Sequence, residues 1–222
     1  MTKVLVLAAH PDDELLGLGG TLIKQIRDGC EVHVVIMSEG ASSRYEDGMK
    51  NKLKEAAYRA SEVMGVIQVH FCDMPDQKMD GIPLLDVIQP IELLIKQIEP
   101  EIIYVHHHGD VNQDHRVVFE AAMVAARPVK ESSIRKILCY ETPSSTEWVP
   151  PFPSRVFIPN VFVDIKDTIE QKLEAFQCYE SELRKFPHPR SLEVLRNNAK
   201  QWGSKVGLEY AEAFELIRWL KA

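Results

Sequence analysis

The chain has 222 residues, 45% of them hydrophobic, and sets 26 Lys and Arg against 33 Asp and Glu for a formal net charge of -7. That length supports one large α/β domain (1–222), and the acidic balance excludes the broad basic footprint of a nucleic-acid binder or of a protein held to an anionic membrane. The four cysteines are widely separated, no signal-peptide pattern opens the chain and no run of eighteen apolar residues occurs, so a cytoplasmic protein with reduced thiols and no membrane insertion is expected.

In chain order, short β-branched apolar runs alternate with longer helical patterns. Strands are predicted at 3–9, 31–37, 66–71, 101–106, 135–140 and 161–164. Helical spacing of apolar residues falls at 15–28 (Leu15, Leu18, Leu22, Ile23, Ile26), at 49–64 (Leu53, Ala56, Ala57, Ala60, Val63) and at 87–98 (Val87, Ile91, Leu94, Ile95, Ile98). Gly29, Gly65 and Pro100 stop these three helices, and further helices are predicted at 114–126 and 166–181. The segment 142–160 holds five prolines and three serines and reads as a long loop or a lid. The tail, 188–222, reads as two more helical segments. Strands alternating with helices imply an α/β fold, a mainly parallel sheet covered by helices on both faces.

Ligands of such a sheet bind outside the carboxyl ends of its strands. The polar clusters His10–Glu14, Ser38–Arg44, Cys72–Asp80 and His106–His115 follow the first four strands, so all four fall on one rim. An N-cap accounts for one acid in "HPDDE", at Asp12 or Asp13, and leaves the rest unexplained. A catalytic zinc takes three ligands from His, Asp, Glu or Cys and keeps a position open. His10 and Asp13, three apart across a Pro turn, with His115 from the fourth-strand loop "HHHGDVNQDHR", make one such set. Asp12 is then left as general base, and Asp114 as a supporting or proton-relay group. The bland alternatives are a capped, solvated helix start for "DDE" and packed strand-end histidines. In the triple histidine, strand alternation points His106 and His108 one way and His107 the other. The "GLGG" at 17–20 lacks the G-x-G-x-x-G spacing and lies within a helical pattern, so it argues for close packing and not for a dinucleotide site.

With "AHPDDE" after the first strand and "D-x-N-x-DH" at 110–115, the chain resembles the LmbE-like, or PIG-L, family of zinc-dependent de-N-acetylases. The likeness continues through "SEG" at 38–40, "MPD" at 74–76 and "HPRSLE…WGSKVGLEYAEAF" at 188–214. It implies a Rossmann-like three-layer α/β fold and removal of the acetyl group from an N-acetylglucosamine-type sugar, a small-molecule substrate. By motif position it implies Zn2+, or another divalent metal, on His10, Asp13 and His115, with Asp12 as general base and Glu14 holding the loop. The chain departs from the family where many members have His-Pro-Asp-His: Asn112 stands in place of an imidazole, so its catalytic role reduces to a hydrogen bond, and His188 or one of His106–His108 becomes the alternative proton donor. Arg44 and Asp76 are read either as contacts to sugar hydroxyls or as a surface cation and a turn residue. The rival functions are a metal hydrolase acting on another amide or an ester, and a metal- or sugar-binding homologue that no longer catalyses. Trp202, Trp219 and the apolar tail serve either a homo-oligomer interface or the core.

Overall fold

The computed structural model describes residues 1–43 and 48–221. Its centre is a seven-stranded sheet of β1 (Lys3–Ala8), β2 (Glu31–Ser38), β3 (Gln68–Met74), β4 (Ile102–His106), β5 (Lys136–Tyr140), β6 (Val161–Asp164) and β7 (Ala211–Trp219), in the order β3-β2-β1-β4-β5-β7-β6. The first five strands pair in parallel, while β7 is antiparallel to both β5 and β6. Among the described residues the α-helices are α1 (Asp13–Arg27), α2 (Met49–Met64), α3 (Leu84–Ile98), α4 (Gln113–Ala125), α5 (Ile169–Gln177) and α6 (Leu192–Ser204).

The period-2 alternation of β1 divides the core in two. Val4, Val6 and Ala8 face one apolar cluster with the inner sides of α1, α2, α5 and α6, while Leu5, Leu7 and Ala9 face a second with α3 and α4. Helices therefore cover both faces, as the alternating pattern predicts, and the Rossmann-like layout is present. Helix ends follow the expected chemistry: Gly65 caps α2 in the left-handed region at φ 85°. The close-packing reading of "GLGG" also holds, because a methyl group at Gly17 would overlap the Tyr140 ring and one at Gly20 would stand 3.0 Å from Ile165.

The tail is the main correction. Residues 192–204 form α6, but 211–219 form strand β7 and not a second helix. "AEAFELIRW" is rich in helix formers, and pairing on both sides, with β5 and with β6, overrides that local preference. Helix 166–181 is also shorter than expected, running only from Ile169 to Gln177. Of the two tail tryptophans, Trp202 packs near Phe157 and Phe162 and donates to Glu141, whereas Trp219 is half exposed beneath Lys136 and Lys221.

Candidate metal centre and its cavity

The strand order reverses between β1 and β4, whose outgoing chains diverge to opposite sides and open a crevice at their carboxyl ends. Residues 9–13 leave β1 at that point and residues 107–112 leave β4. His10, Asp13 and His115 meet there. Their ligand atoms form a nearly equilateral triangle: His10 Nδ1 to His115 Nε2 is 3.2 Å, and Asp13 Oδ2 lies 3.4 Å from each. Donors about 2.0–2.2 Å from a tetrahedral ion stand about 3.3–3.6 Å from one another, so the triangle has the dimensions of one face of a zinc site. The other oxygen, Asp13 Oδ1, is buried with no hydrogen-bond partner among the described residues. The donor set therefore fits a divalent metal of the zinc type.

Each imidazole is held from behind by a carboxylate. His10 Nε2 lies 3.1 Å from Asp114 Oδ2, and His115 Nδ1 lies 3.2 Å from Asp110 Oδ2. Both carboxylates are themselves fixed. Asp114 accepts the backbone N–H of Gln77 (2.8 Å) and Met79 (3.0 Å), and Asp110 accepts the hydroxyls of Ser145 and Thr146. The sequence singled out Asp114 but not Asp110, whose partners lie some 35 residues away in the Pro-rich segment.

Asp12 is the N-cap of α1 only by position. Its backbone sits at φ 105°, a region costly for a residue with a Cβ, and its side chain makes no capping bond. Instead the carboxylate is buried at the cavity wall, with Oδ2 3.1 Å from Arg190 Nη1. Glu14 secures this turn, accepting Asp12 N–H at 3.2 Å and the Tyr179 hydroxyl at 2.7 Å. Arg190 also reaches Glu182 Oε2 (2.7 Å) and Ser144 Oγ (2.8 Å). The motif "HPRSLE" contains this guanidinium, but its role was not legible there, because only the fold brings it beside Asp12 and Glu182.

The electrostatics follow from burial and these pairs. Burial pushes the Asp12 carboxyl well up, and the Arg190 guanidinium only partly offsets it. For Asp13 burial acts the same way, but His115, His106 and His10 outweigh it and hold the carboxyl well below the usual range. Burial disfavours the charged forms of His10 and His115 too, yet facing carboxylates raise them to about 10 and about 9. His106 goes the other way, pushed down to about 4 by burial and by His115. Its ring stacks on His115 at 3.9 Å, and its Nε2 accepts Ala9 N–H, which fixes a neutral tautomer.

The expected alternation of the three histidines fails because β4 ends at His106. His107 turns to Glu215 Oε2 (2.7 Å) and the Arg155 carbonyl (2.9 Å), and exposed His108 reaches the Ser154 carbonyl. Asn112 caps α4, its Oδ1 accepting Asp114 N–H at 2.9 Å, and lines the cavity. Asp76 also lines it, 3.5 Å from His10 Nε2, and His188 lies on the wall formed by the chain's later segments. Arg44 lies outside the described residues. The cavity measures about 650 Å³ and is polar, with Trp148 the large aromatic residue on its lining. The segment 142–160, expected as a loop or lid, is tied down: besides the hydroxyls on Asp110, Arg155 donates to the Gly109 and Asp110 carbonyls.

A Rossmann-like sheet with a two-histidine, one-carboxylate triangle at its switch point presents a candidate metal site and not a dinucleotide site, since carboxylates occupy the turn where a phosphate wants amides. Residues 5–126 match the profile of PIG-L, described as GlcNAc-PI de-N-acetylase, and the chain belongs to that family. It is 33% identical over 184 residues to the uncharacterized deacetylase YaiS of Escherichia coli (strain K12), covering 80% of this chain and 90% of the relative. To the diacetylchitobiose deacetylase of Thermococcus kodakarensis it is 28% identical over 229 residues (97% and 83%). Among solved structures, the 4-carboxy-2-hydroxymuconate hydratase of Pseudomonas putida KT2440 superposes with a TM-score of 0.77 at 22% identity, covering 100% of this chain and 98% of that one. The last likeness shows the fold alone, and a fold that carries a hydratase elsewhere does not choose the reaction. Among the described residues no helix is long and apolar enough to cross a membrane.

Proposed function

We propose that the chain is a zinc-dependent hydrolase that removes the N-acetyl group from an N-acetylglucosamine-type sugar or sugar conjugate. The observation that carries this reading is the 3.2–3.4 Å triangle of His10, Asp13 and His115 with the Asp12 carboxylate beside it on the same cavity wall. The family and the deacetylase relatives support the reaction class.

A divalent metal held by those three side chains supplies Lewis acidity, polarising an amide carbonyl and making water a stronger acid near neutral pH. Asp12 takes the proton of the attacking water and returns it to the departing amine. Arg190 fixes the direction of that carboxylate. Asn112, whose Oδ1 is committed to the helix cap, has its amide N–H2 left as a donor toward the substrate carbonyl, a neutral group in place of a titrating imidazole. Asp114 fixes the ring of His10, and Asp76, His188 and Arg44 bind sugar hydroxyls.

Acetate release from a panel of N-acetylated sugars, with metal content measured in parallel, tests the assignment. Asp12→Asn is expected to keep its zinc and lose turnover by about 100-fold or more, the scale of general-base catalysis, while His115→Ala loses the metal. Full activity in a preparation verified free of metal would overturn the scheme. Acetate or another acid released only from non-sugar amides or esters would replace the substrate assignment and leave the metal centre standing.

A further inference from the structure

One side chain of the cavity is explained by neither the metal centre nor the proton relay. Trp148 is 56% exposed although tryptophan is on average well buried. It nevertheless stands on backbone fixed by several hydrogen bonds. The short 3-10 turn Thr146–Trp148 is anchored by Ser145 and Thr146 on Asp110, by Thr146 Oγ1 accepting Thr142 N–H (2.8 Å), and by Glu147 accepting the N–H groups of Ser144 and Ser145. The indole meets His188 edge-on, with ring centroids 6.2 Å apart. His188 is oriented in turn, because its Nδ1 accepts Arg190 N–H at 3.1 Å and so directs the ring proton to Nε2.

An exposed aromatic face held on rigid backbone beside a hydrogen-bond donor is a binding element, since loops placed by a fixed scaffold carry recognition and an aromatic ring offers area at little entropic cost. The face of a pyranose, with its axial C–H bonds, is the carbohydrate surface that fits an indole. The cavity, at about 650 Å³, is mid-range for a ligand of several rings or substituents and larger than one sugar ring requires. The sugar whose acetamide reaches the His10–Asp13–His115 triangle occupies the metal end. Trp148 and His188 line the same cavity as that triangle.

We propose that Trp148 and His188 form a second subsite that stacks against an uncharged glycosyl unit attached to the N-acetylated sugar, so that Trp148 sets a preference for disaccharides over the free monosaccharide. The proposal rests on the sugar-deacetylase reading above. Its test compares wild type, Trp148→Ala and Trp148→Phe on N,N'-diacetylchitobiose and on N-acetylglucosamine. The ratio of the two kcat/KM values is expected to fall about tenfold in Trp148→Ala, through KM and not kcat, and to be largely restored in Trp148→Phe. An equal loss on both sugars, or no loss, overturns it, as does Trp148-independent activity confined to sugars with an anionic substituent, which would assign the wall to Arg184, a cation that also lines the cavity. Binding of cellobiose and of glucose, which are uncharged and have no acetyl group to lose, is measured by titration calorimetry on the same three proteins. Should wild type release acetate from neither sugar, the deacetylase reading fails; the subsite then stands if cellobiose still binds in a Trp148-dependent way, and falls if it does not.

Discussion

At the scale of single residues, the proposed metal centre depends on two carboxylates that lie outside the donor triangle. Asp110 holds His115 and Asp114 holds His10, each fixing ring orientation and basicity. Asp110→Asn is expected to weaken zinc affinity by about 10- to 100-fold, read by competition with a chromophoric chelator, with activity recovering at high zinc. The same carboxylates govern protons. In protein stripped by a chelator, His10 at about 10 and His115 at about 9 both carry a proton at pH 7, and a metal accepts only the neutral imidazole. Zinc binding at pH 7 is therefore expected to expel protons, and affinity to rise as pH climbs from 7 and level off above about 10. Calorimetry in two buffers of different ionisation heat measures the release, and none at pH 7 would contradict the arrangement. Part of the geometry was legible beforehand: "HPDD" and "DH" pointed to His10, Asp13 and His115, which the fold brings together, and to Asp12, which it buries at the cavity wall. Asp110 was not, because its meaning comes from Ser145 and Thr146, which only the fold brings beside it. Nor was Asp12's departure from capping, since sequence shows a favoured N-cap residue and not a φ of 105°.

At the scale of elements, β1, β2, β4 and β5 were legible because buried parallel strands read as continuous apolar runs, and α1 through α4 because their apolar stripes keep a 3.6 period. Strand β7 was hidden by its own composition. Its Glu212 is the clearest example: as a helix residue it reads as solvated, yet in the strand it is buried and accepts Lys172 Nζ at 2.6 Å with the N–H groups of Gly20 and Thr21. One carboxylate thus joins α1, α5 and β7 beneath the sheet. Removing its cation leaves a buried charge, so Lys172→Ala is expected to cost about 3–5 kcal/mol, measured by urea denaturation. Lys172→Met combined with Glu212→Gln should recover most of that loss. A cost under about 0.5 kcal/mol, the range of surface substitutions, would show that the pair is not held as described.

At the scale of the whole molecule, the site is a product of topology. Residues 9–13 and 107–115 are about a hundred positions apart, and they meet because β1 and β4 are neighbours where the strand order turns back. The third contribution, 142–160, reaches the site from β5 and is laced to the β4 loop by Asp110, His107 and Arg155, so the cavity wall and the metal's support share the same hydrogen bonds. The position of β7 has another consequence. It enters the sheet between β5 and β6, both of which precede it in the chain. During synthesis on the ribosome, a nascent chain that has emerged through α6 has an unpaired β5 edge and no place in the sheet for β6. An open parallel core of that kind is a template for association with other chains. A chain ending at residue 205 is therefore expected to collapse into soluble oligomers or precipitate, seen by light scattering, and a synthetic 206–222 peptide supplied during refolding should reduce that scattering. A monodisperse, cooperatively folded fragment would show that the sheet closes without its final strand.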